Sequence, residues 1–135
     1  MSIVKHVNPT ISKLAKEFHS DEIKFIAISS NDVINYPEDS PEKMKINAVK
    51  NDFTFPYLYD ESQEVARAYD AACTPDFYVY DSNLKLVYRG QLDDSRPGNE
   101  IESMVMILGI HSMSLNGIEN QDLQKPSIGC NIKWK

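Results

Sequence analysis

Apolar residues recur every three or four positions near the start of the chain. The residues with this spacing are Val4, Val7, Ile11, Leu14 and Phe18. Because such steps return to one face of a helix, the pattern predicts an amphipathic helix that ends near His19. Pro9 removes a backbone donor inside this stretch, so we expect either a kink there or a helix that begins at Pro9 with Asn8 as its cap.

The following two stretches predict a strand and a second helix. Residues 22–30, EIKFIAISS, have a near-continuous apolar core. Such a core is typical of a buried interior strand in a parallel sheet. Ser40 followed by Pro41 predicts the cap and the first residue of a helix that ends near Asn51.

A short extended piece and a short helix come next. Residues 53–60, FTFPYLYD, contain Pro56, which cannot donate a ladder hydrogen bond and therefore argues against a central strand position. Asp60 as cap, with Gln63 three residues later, predicts a helix that opens with a capping box. The residues expected on the inner face of this helix are Val65, Ala68 and Tyr69.

The remaining chain predicts a hairpin, a closing helix and an extended tail. FYVYD (77–81) and LKLVYRG (84–90) form two apolar strands around a two-residue turn of Ser82 and Asn83. The apolar residues of 101–113 favour a closing helix. For the stretch 102–114 two interpretations stay open: its methionines fill the core, or its sequence has diverged locally. Residues 126–135 alternate apolar and polar side chains, as an extended segment on the protein surface does.

Composition indicates one domain over residues 1–135. The chain has 135 residues, of which 41% are hydrophobic, and a net charge of -6.

No stretch concentrates Lys or Arg, so we expect no nucleic-acid partner. No apolar run is long enough for a membrane span or a secretory signal, which favours a cytoplasmic protein without a membrane partner. His6 and His19 lack a matched set of ligands, so we expect no metal and no cofactor.

Six colinear blocks resemble the thioredoxin-like redoxin family, whose members are described as alkyl hydroperoxide reductase/thiol-specific antioxidant-like. The blocks are VKHVNPTISKLAKEF, NDVINYPEDSPEKM, FPYLYDESQEVARAY, CTPDFYVYD, YRGQLDDSRPGN and PSIGCNIKWK. The resemblance implies an α/β thioredoxin-like fold of three layers around a mixed sheet. It also implies a Cys-x-x-Cys-Pro stretch at the start of the first helix, where this sequence has Met1 and Ser2 instead. We therefore expect an N-terminally truncated domain that lacks the reactive dithiol and the strand before it.

The resemblance assigns a site to residues 73–75, CTP. Thr74 and Pro75 resemble the cis-proline loop of the family, which presents backbone to an extended thiol substrate. Cys73 would then be a resolving or auxiliary thiol. An inert packing role for Cys73 remains open, since buried cysteine often behaves as a small apolar residue. For Cys130, which lies among alternating apolar positions, we expect a structural role.

The absence of a central strand would have an energetic consequence. About four large buried side chains would be lost with the strand. At about 1.5 to 3 kcal/mol each, their loss would remove roughly 6 to 12 kcal/mol of hydrophobic stabilisation. The whole stability of a domain is about 5 to 15 kcal/mol. We therefore expect weakened cooperativity and self-association through an open sheet edge.

Two functions remain open from the sequence. The first is a thiol-dependent oxidoreductase of the antioxidant or disulfide reductase class, with a protein disulfide, a small thiol or a peroxide as substrate. Its activity in this chain would be weak or absent because the Cys-x-x-Cys is missing, so enzyme status stays open. The alternative is a non-catalytic module that binds a partner through the Thr-Pro loop or a strand edge.

Overall fold

The computed structural model describes residues 2–18, 23–92 and 126–135. The chain divides into two compact units, one of Met1–His6 with Ala72–Asn131 and one of Val7–Ala71 with Ile132–Lys135. The predicted closing helix over 101–113, the stretch 102–114 and His19 lie outside the described residues. The single domain over 1–135 stays a prediction.

Helices and short strands alternate along the described chain. In order they are α1 (Ser2–Phe18), β1 (Ala27–Ser29), a 3-10 turn (Pro37–Asp39), α2 (Pro41–Lys50), β2 (Tyr57–Tyr59), α3 (Glu64–Ala68), β3 (Cys73–Thr74), β4 (Phe77–Tyr80), β5 (Leu86–Gly90) and β6 (Cys130–Asn131). The strands pair two by two: β1 with β2 in parallel, and β3 with β6 and β4 with β5 antiparallel. This mixture agrees with the predicted α/β class, and the described strands form small sheets rather than one mixed sheet. No helix among the described residues is long and apolar enough to span a membrane.

Helix α1 confirms the apolar periodicity at the start of the chain. It extends from Ser2 to Phe18 and passes through Pro9, so the alternative of a helix that begins at Pro9 is wrong. Val7, Leu14 and Ala15 on its inner face are buried.

Polar contacts attach α1 to the turn that follows α2. The Ser12 hydroxyl donates to the Asp52 carbonyl at 3.1 Å, and the Lys16 ammonium pairs with the Asp52 carboxylate. Because both charged side chains of the ion pair are exposed, the Ser12 hydrogen bond and the buried apolar face hold the helix more than the ion pair does.

The prediction of a buried interior strand over residues 22–30 is wrong for the described chain. Strand β1 has three residues, and Ile26 and Ile28 beside and within it are 61% and 43% exposed. Among the described residues β1 pairs with β2 along one edge. Phe25 precedes β1, and its ring lies 6.3 Å from that of the buried Phe55.

Helix α2 and strand β2 follow their predictions. The Ser40 hydroxyl accepts the Lys43 N–H at 3.4 Å, and Pro41 is the first helical residue. The short strand β2 begins directly after Pro56, whose carbonyl accepts the Ala27 N–H at 2.9 Å. Pro56 therefore contributes its acceptor to the ladder and needs no donor.

Helix α3 differs from its predicted capping and inner face. It begins at Glu64, and the Asp60 carboxylate accepts the Ala66 N–H at 3.0 Å from outside the helix. Gln63 adopts a left-handed conformation with φ 63° and does not cap with its side chain. The predicted inner face is wrong. Its three residues, Val65, Ala68 and Tyr69, are exposed, and Ala66 is buried instead.

The hairpin of β4 and β5 exists, but its turn is longer than the predicted Ser82–Asn83 turn. The Asp81 carboxylate accepts the N–H groups of Asn83 and Lys85, both at 2.9 Å. The positive φ of 60° falls on Leu84 and not on Asn83. The side chain of Asp81 thus organises a five-residue connection, which sequence spacing alone did not indicate.

The tail is extended, as predicted, and its burial is uneven. Ile132 is 5% exposed, whereas Ile128 and Trp134 are 54% and 42% exposed. Residues 132–135 are attached within their own unit. The Asp32 N–H donates to the Lys133 carbonyl at 2.8 Å, and the Arg67 guanidinium lies 5.0 Å from the centre of the Trp134 ring.

Candidate functional site at the Thr74–Pro75 loop

The Thr74–Pro75 loop connects β3 to β4. Its peptide bond is cis, as the family resemblance implied. Cys73, Thr74 and Pro75 are all half-buried, so the three residues quoted from the sequence lie together at a partly accessible edge. Their roles in chemistry and in substrate binding stay predictions.

The Cys73 thiol lies in an environment that favours its protonated form. Its sulfur is 3.9 Å from the Pro75 carbonyl oxygen. Burial raises the pKa of the Cys73 thiol, the nearby Asp76 carboxylate raises it further, and the Arg89 guanidinium acts in the opposite direction. Because thiolate is the nucleophilic form, a raised pKa disfavours reaction of Cys73 at neutral pH.

Asp76 is the buried acceptor of this site. Its side chain is 6% exposed, and it accepts hydrogen bonds from the Tyr78 hydroxyl at 2.8 Å and from the Arg89 guanidinium at 3.4 Å. The Ser127 hydroxyl donates to the other carboxylate oxygen. Burial and the Asp76 carboxylate together raise the pKa of the Tyr78 hydroxyl, which therefore stays a donor.

Sequence reasoning missed this cluster, although part of it has a signal. Asp76 and Tyr78 are two residues apart, which places their side chains on one face of an extended chain. Arg89 is the ladder partner of Tyr78 in the hairpin. The hairpin register therefore brings these three residues together, whereas nothing in the sequence pairs Ser127 with Asp76.

The C-terminal tail is paired with the strand that precedes the loop. In the antiparallel ladder of β3 and β6, Asn131 lies opposite Cys73 and Cys130 lies opposite Thr74. The Thr74 hydroxyl donates to the Cys130 carbonyl at 3.4 Å. Gly129 lies so close to the loop that a Cβ atom there would be 2.1 Å from the Thr74 carbonyl oxygen.

The two cysteines occupy neighbouring positions of this ladder but opposite faces. Both are half-buried and not in a disulfide. Because ladder partners share a face and successive residues alternate, Cys130 shares its face with Thr74, while Cys73 shares the other face with Asn131. Within the described residues, no group of three or more His, Cys, Asp or Glu side chains could hold a metal ion.

Comparison with family models gives a family, and comparison with solved structures gives two proteins of similar fold. The model of the AhpC/TSA family matches residues 3–89. The crystal structure of an uncharacterized conserved protein from Geobacillus kaustophilus is 52% identical with a TM-score of 0.88, over 99% of this chain and 71% of that chain. That of a hypothetical protein from Sinorhizobium meliloti is 38% identical with a TM-score of 0.90, over 99% of this chain and 74% of that chain. No protein of curated function matches significantly.

Proposed function

Because the chain belongs to the AhpC/TSA family, we propose that it acts in thiol–disulfide or peroxide chemistry by binding an extended, thiol-bearing substrate at the Thr74–Pro75 loop. The family match gives the redox class, and the mixed α/β architecture is consistent with a thioredoxin-like fold. One observation supports the location above others: Thr74 and Pro75 directly follow Cys73, and all three residues are half-buried at one edge.

We propose further that this 135-residue chain alone has little dithiol reductase activity. Its sequence contains two cysteines, Cys73 and Cys130, and they form no Cys-x-x-Cys pair. Both lie in strands, so neither thiol gains the thiolate stabilisation that a helix N-terminus provides. The raised pKa of Cys73 argues in the same direction.

A resolving role for Cys73 is compatible with a raised pKa. In such a step the Cys73 thiolate attacks one sulfur of an existing disulfide between the substrate and a second thiol. A new bond forms between Cys73 and that sulfur, the old sulfur–sulfur bond breaks, and the other sulfur leaves as a thiolate that takes up the proton from Cys73. The attacked disulfide is the oxidant, and an attacking thiol held beside it needs no lowered pKa because its effective concentration is high.

The test combines activity with thiol mapping. Insulin reduction and hydrogen peroxide consumption with dithiothreitol as reductant should both remain at the level of buffer without protein. After incubation with oxidised glutathione, mass spectrometry of the Cys130→Ser variant should find slow mixed-disulfide formation at Cys73. The Cys73→Ser variant is the matched control. Insulin reduction at the rate of a dithiol thioredoxin, or exchange at Cys73 faster than at free cysteine, would contradict this assignment.

A second function rests on the ladder of β3 and β6. Because the β3 edge already pairs with an extended segment of the chain, a non-catalytic module that binds peptides there is the alternative. A Cys73→Ser variant separates the two. If the variant still binds peptide and neither the variant nor the unaltered chain shows thiol–disulfide exchange, the binding module is favoured. If the unaltered chain shows exchange and the variant does not, the redox role is favoured.

A further inference from the structure

We infer that the tail segment, residues Ser127–Asn131, is a built-in occupant of the β3 edge, and that this edge selects glycine at the position occupied by Gly129. The inference rests on the proposed peptide binding at the Thr74–Pro75 loop. Beyond that binding, it identifies the tail segment as the occupant of the β3 edge in this chain. It also restricts the peptides that can replace the tail segment to those with glycine at the matching position.

The pairing itself is the first step. An extended peptide recognised by a strand edge adds a further strand, so that main-chain hydrogen bonds hold it and alternate side chains are read. Cys130 and Asn131 do this within the chain, in antiparallel register with Thr74 and Cys73. A substrate peptide that paired with the same side of β3 would therefore have to displace them.

The contact of Gly129 with the loop is the second step. A Cβ atom at this position would lie 2.1 Å from the Thr74 carbonyl oxygen and 3.2 Å from the Pro75 nitrogen. Ordinary contacts between carbon and a carbonyl oxygen are about 3.3 to 3.6 Å, so a side chain there requires a shift of about 1 Å. Since the opposing atoms are backbone, no rotamer change relieves the contact.

The close approach also shows which side of the loop the tail covers. The carbonyl of Thr74, the residue before Pro75, faces Gly129. The tail segment therefore lies against the backbone acceptor that an extended peptide would use at this loop. The same geometry restricts any replacement peptide, because its residue at this position must also lack a Cβ atom.

Among residues 2–18, 23–92 and 126–135, side-chain hydrogen bonds attach the tail segment at Ser127 and at the Cys130 carbonyl. The Ser127 hydroxyl donates to Asp76, which Tyr78 and Arg89 hold in place. Ile128 is 54% exposed and contributes little packing. A ladder of two residues is short enough to open locally while the rest of the fold remains intact.

The test uses the full chain and a fluorescein-labelled synthetic peptide with the sequence of residues 126–135. The variants are Gly129→Ala and Ser127→Ala, which weaken the hold of the tail segment in different ways. Ser82→Ala and Lys45→Ala are the controls, because both change exposed side chains outside the tail segment. The Cys130 alkylation rate measures release of the tail segment, fluorescence anisotropy measures peptide binding, and circular dichroism melts verify that each variant is folded.

We expect faster Cys130 alkylation in both weakened variants and no change in the controls. The peptide can bind only those molecules whose β3 edge is open, so its apparent affinity is proportional to the open fraction. Release of the tail segment should therefore lower the apparent Kd of the peptide about tenfold. A peptide in which alanine replaces the glycine should bind no variant. If Gly129→Ala fails to fold, Ser127→Ala still tests the occupancy.

The outcomes separate the two proposals. If the unaltered chain binds the peptide as tightly as a variant whose tail segment is released, the occupancy is wrong and peptide binding at the loop stands. Equal affinity for the glycine and alanine peptides overturns the glycine selection. If the tail segment is released and no peptide binds to any form, peptide binding at the loop fails, and the inference fails with it.

Discussion

Replacement of Gln63 by alanine should destabilise the unit formed by Val7–Ala71 and Ile132–Lys135. The Gln63 side chain is 1% exposed. Its amide nitrogen donates to the carbonyls of Ser30 at 2.7 Å and Lys133 at 2.8 Å, and its amide oxygen accepts the Lys135 N–H at 3.0 Å. The residue therefore connects the end of the chain to the segment that follows β1.

The expected magnitude follows from these three hydrogen bonds. At about 0.5 to 1.5 kcal/mol net for each bond, Gln63→Ala should lower the free energy of unfolding by about 1.5 to 4.5 kcal/mol. The buried Ser30 carbonyl loses a partner, which favours the upper half of this range. Glycine tolerates the positive φ of 63° at this position, so Gln63→Gly should be up to about 1 kcal/mol less destabilising than alanine.

Urea unfolding and hydrogen exchange provide the assay. The midpoint should fall in both variants and fall further for alanine than for glycine. Exchange at the Lys135 amide should accelerate, because its acceptor is gone. Lys45→Ala on the exposed face of α2 is the control. A change in unfolding free energy within about 0.5 kcal/mol for Gln63→Ala would refute the reasoning, since that is the range of ordinary surface substitutions.

Three further predictions concern thiols and acid stability. Alkylation of Cys73 at neutral pH, followed by mass spectrometry, should be slower than for free cysteine. It should accelerate in Asp76→Asn and slow in Arg89→Gln, because the two charges shift the pKa of the thiol in opposite directions; equal rates in all three forms would contradict this. Mild oxidation should leave Cys73 and Cys130 unlinked in the monomer, since they lie on opposite faces of the ladder; an intramolecular disulfide in a non-reducing peptide map would disprove that. Burial opposes ionisation of Asp60, but the hydrogen bonds that its carboxylate accepts lower its pKa overall. This stabilisation is therefore fully present above about pH 4 and lost as pH falls through the lowered value, so Asp60→Asn should be less stable at neutral pH with a flatter acid limb in unfolding titrations.

The sequence predicted the elements whose causes are local. The apolar spacing from Val4 to Phe18 gives α1, and the Ser40–Pro41 pair gives the start of α2, because each signal acts within a few residues of its own helix. The prediction of the turn after β4 was wrong, because the local signal there was ambiguous. Several residues there could organise the connection, and the carboxylate of Asp81 takes that role, with Leu84 at positive φ.

Burial was the least predictable property because it depends on distant partners. The apolar run around Ile26 and Ile28 is typical of an interior strand, yet both side chains are exposed where one edge of β1 is paired in the described chain. Gln63 shows the opposite error. Its spacing from Asp60 suggested a local capping role, whereas its amide groups bond to Ser30 and to the end of the chain.

The candidate site combines a local signal with a contact that no local signal encodes. The cis Thr74–Pro75 loop and Cys73 were found from three consecutive residues by resemblance, and Asp76 could have been added from the hairpin register. The contact of the tail segment could not be predicted from the sequence. Ser127 is 51 residues from Asp76, and only the structure shows that Gly129 lies against the Thr74 carbonyl. A small residue that lies against distant backbone is recognised from three-dimensional packing alone. For this reason the pairing of the tail segment with β3 is seen in the structure alone, while the redox role of Cys73 stays a prediction from the resemblance.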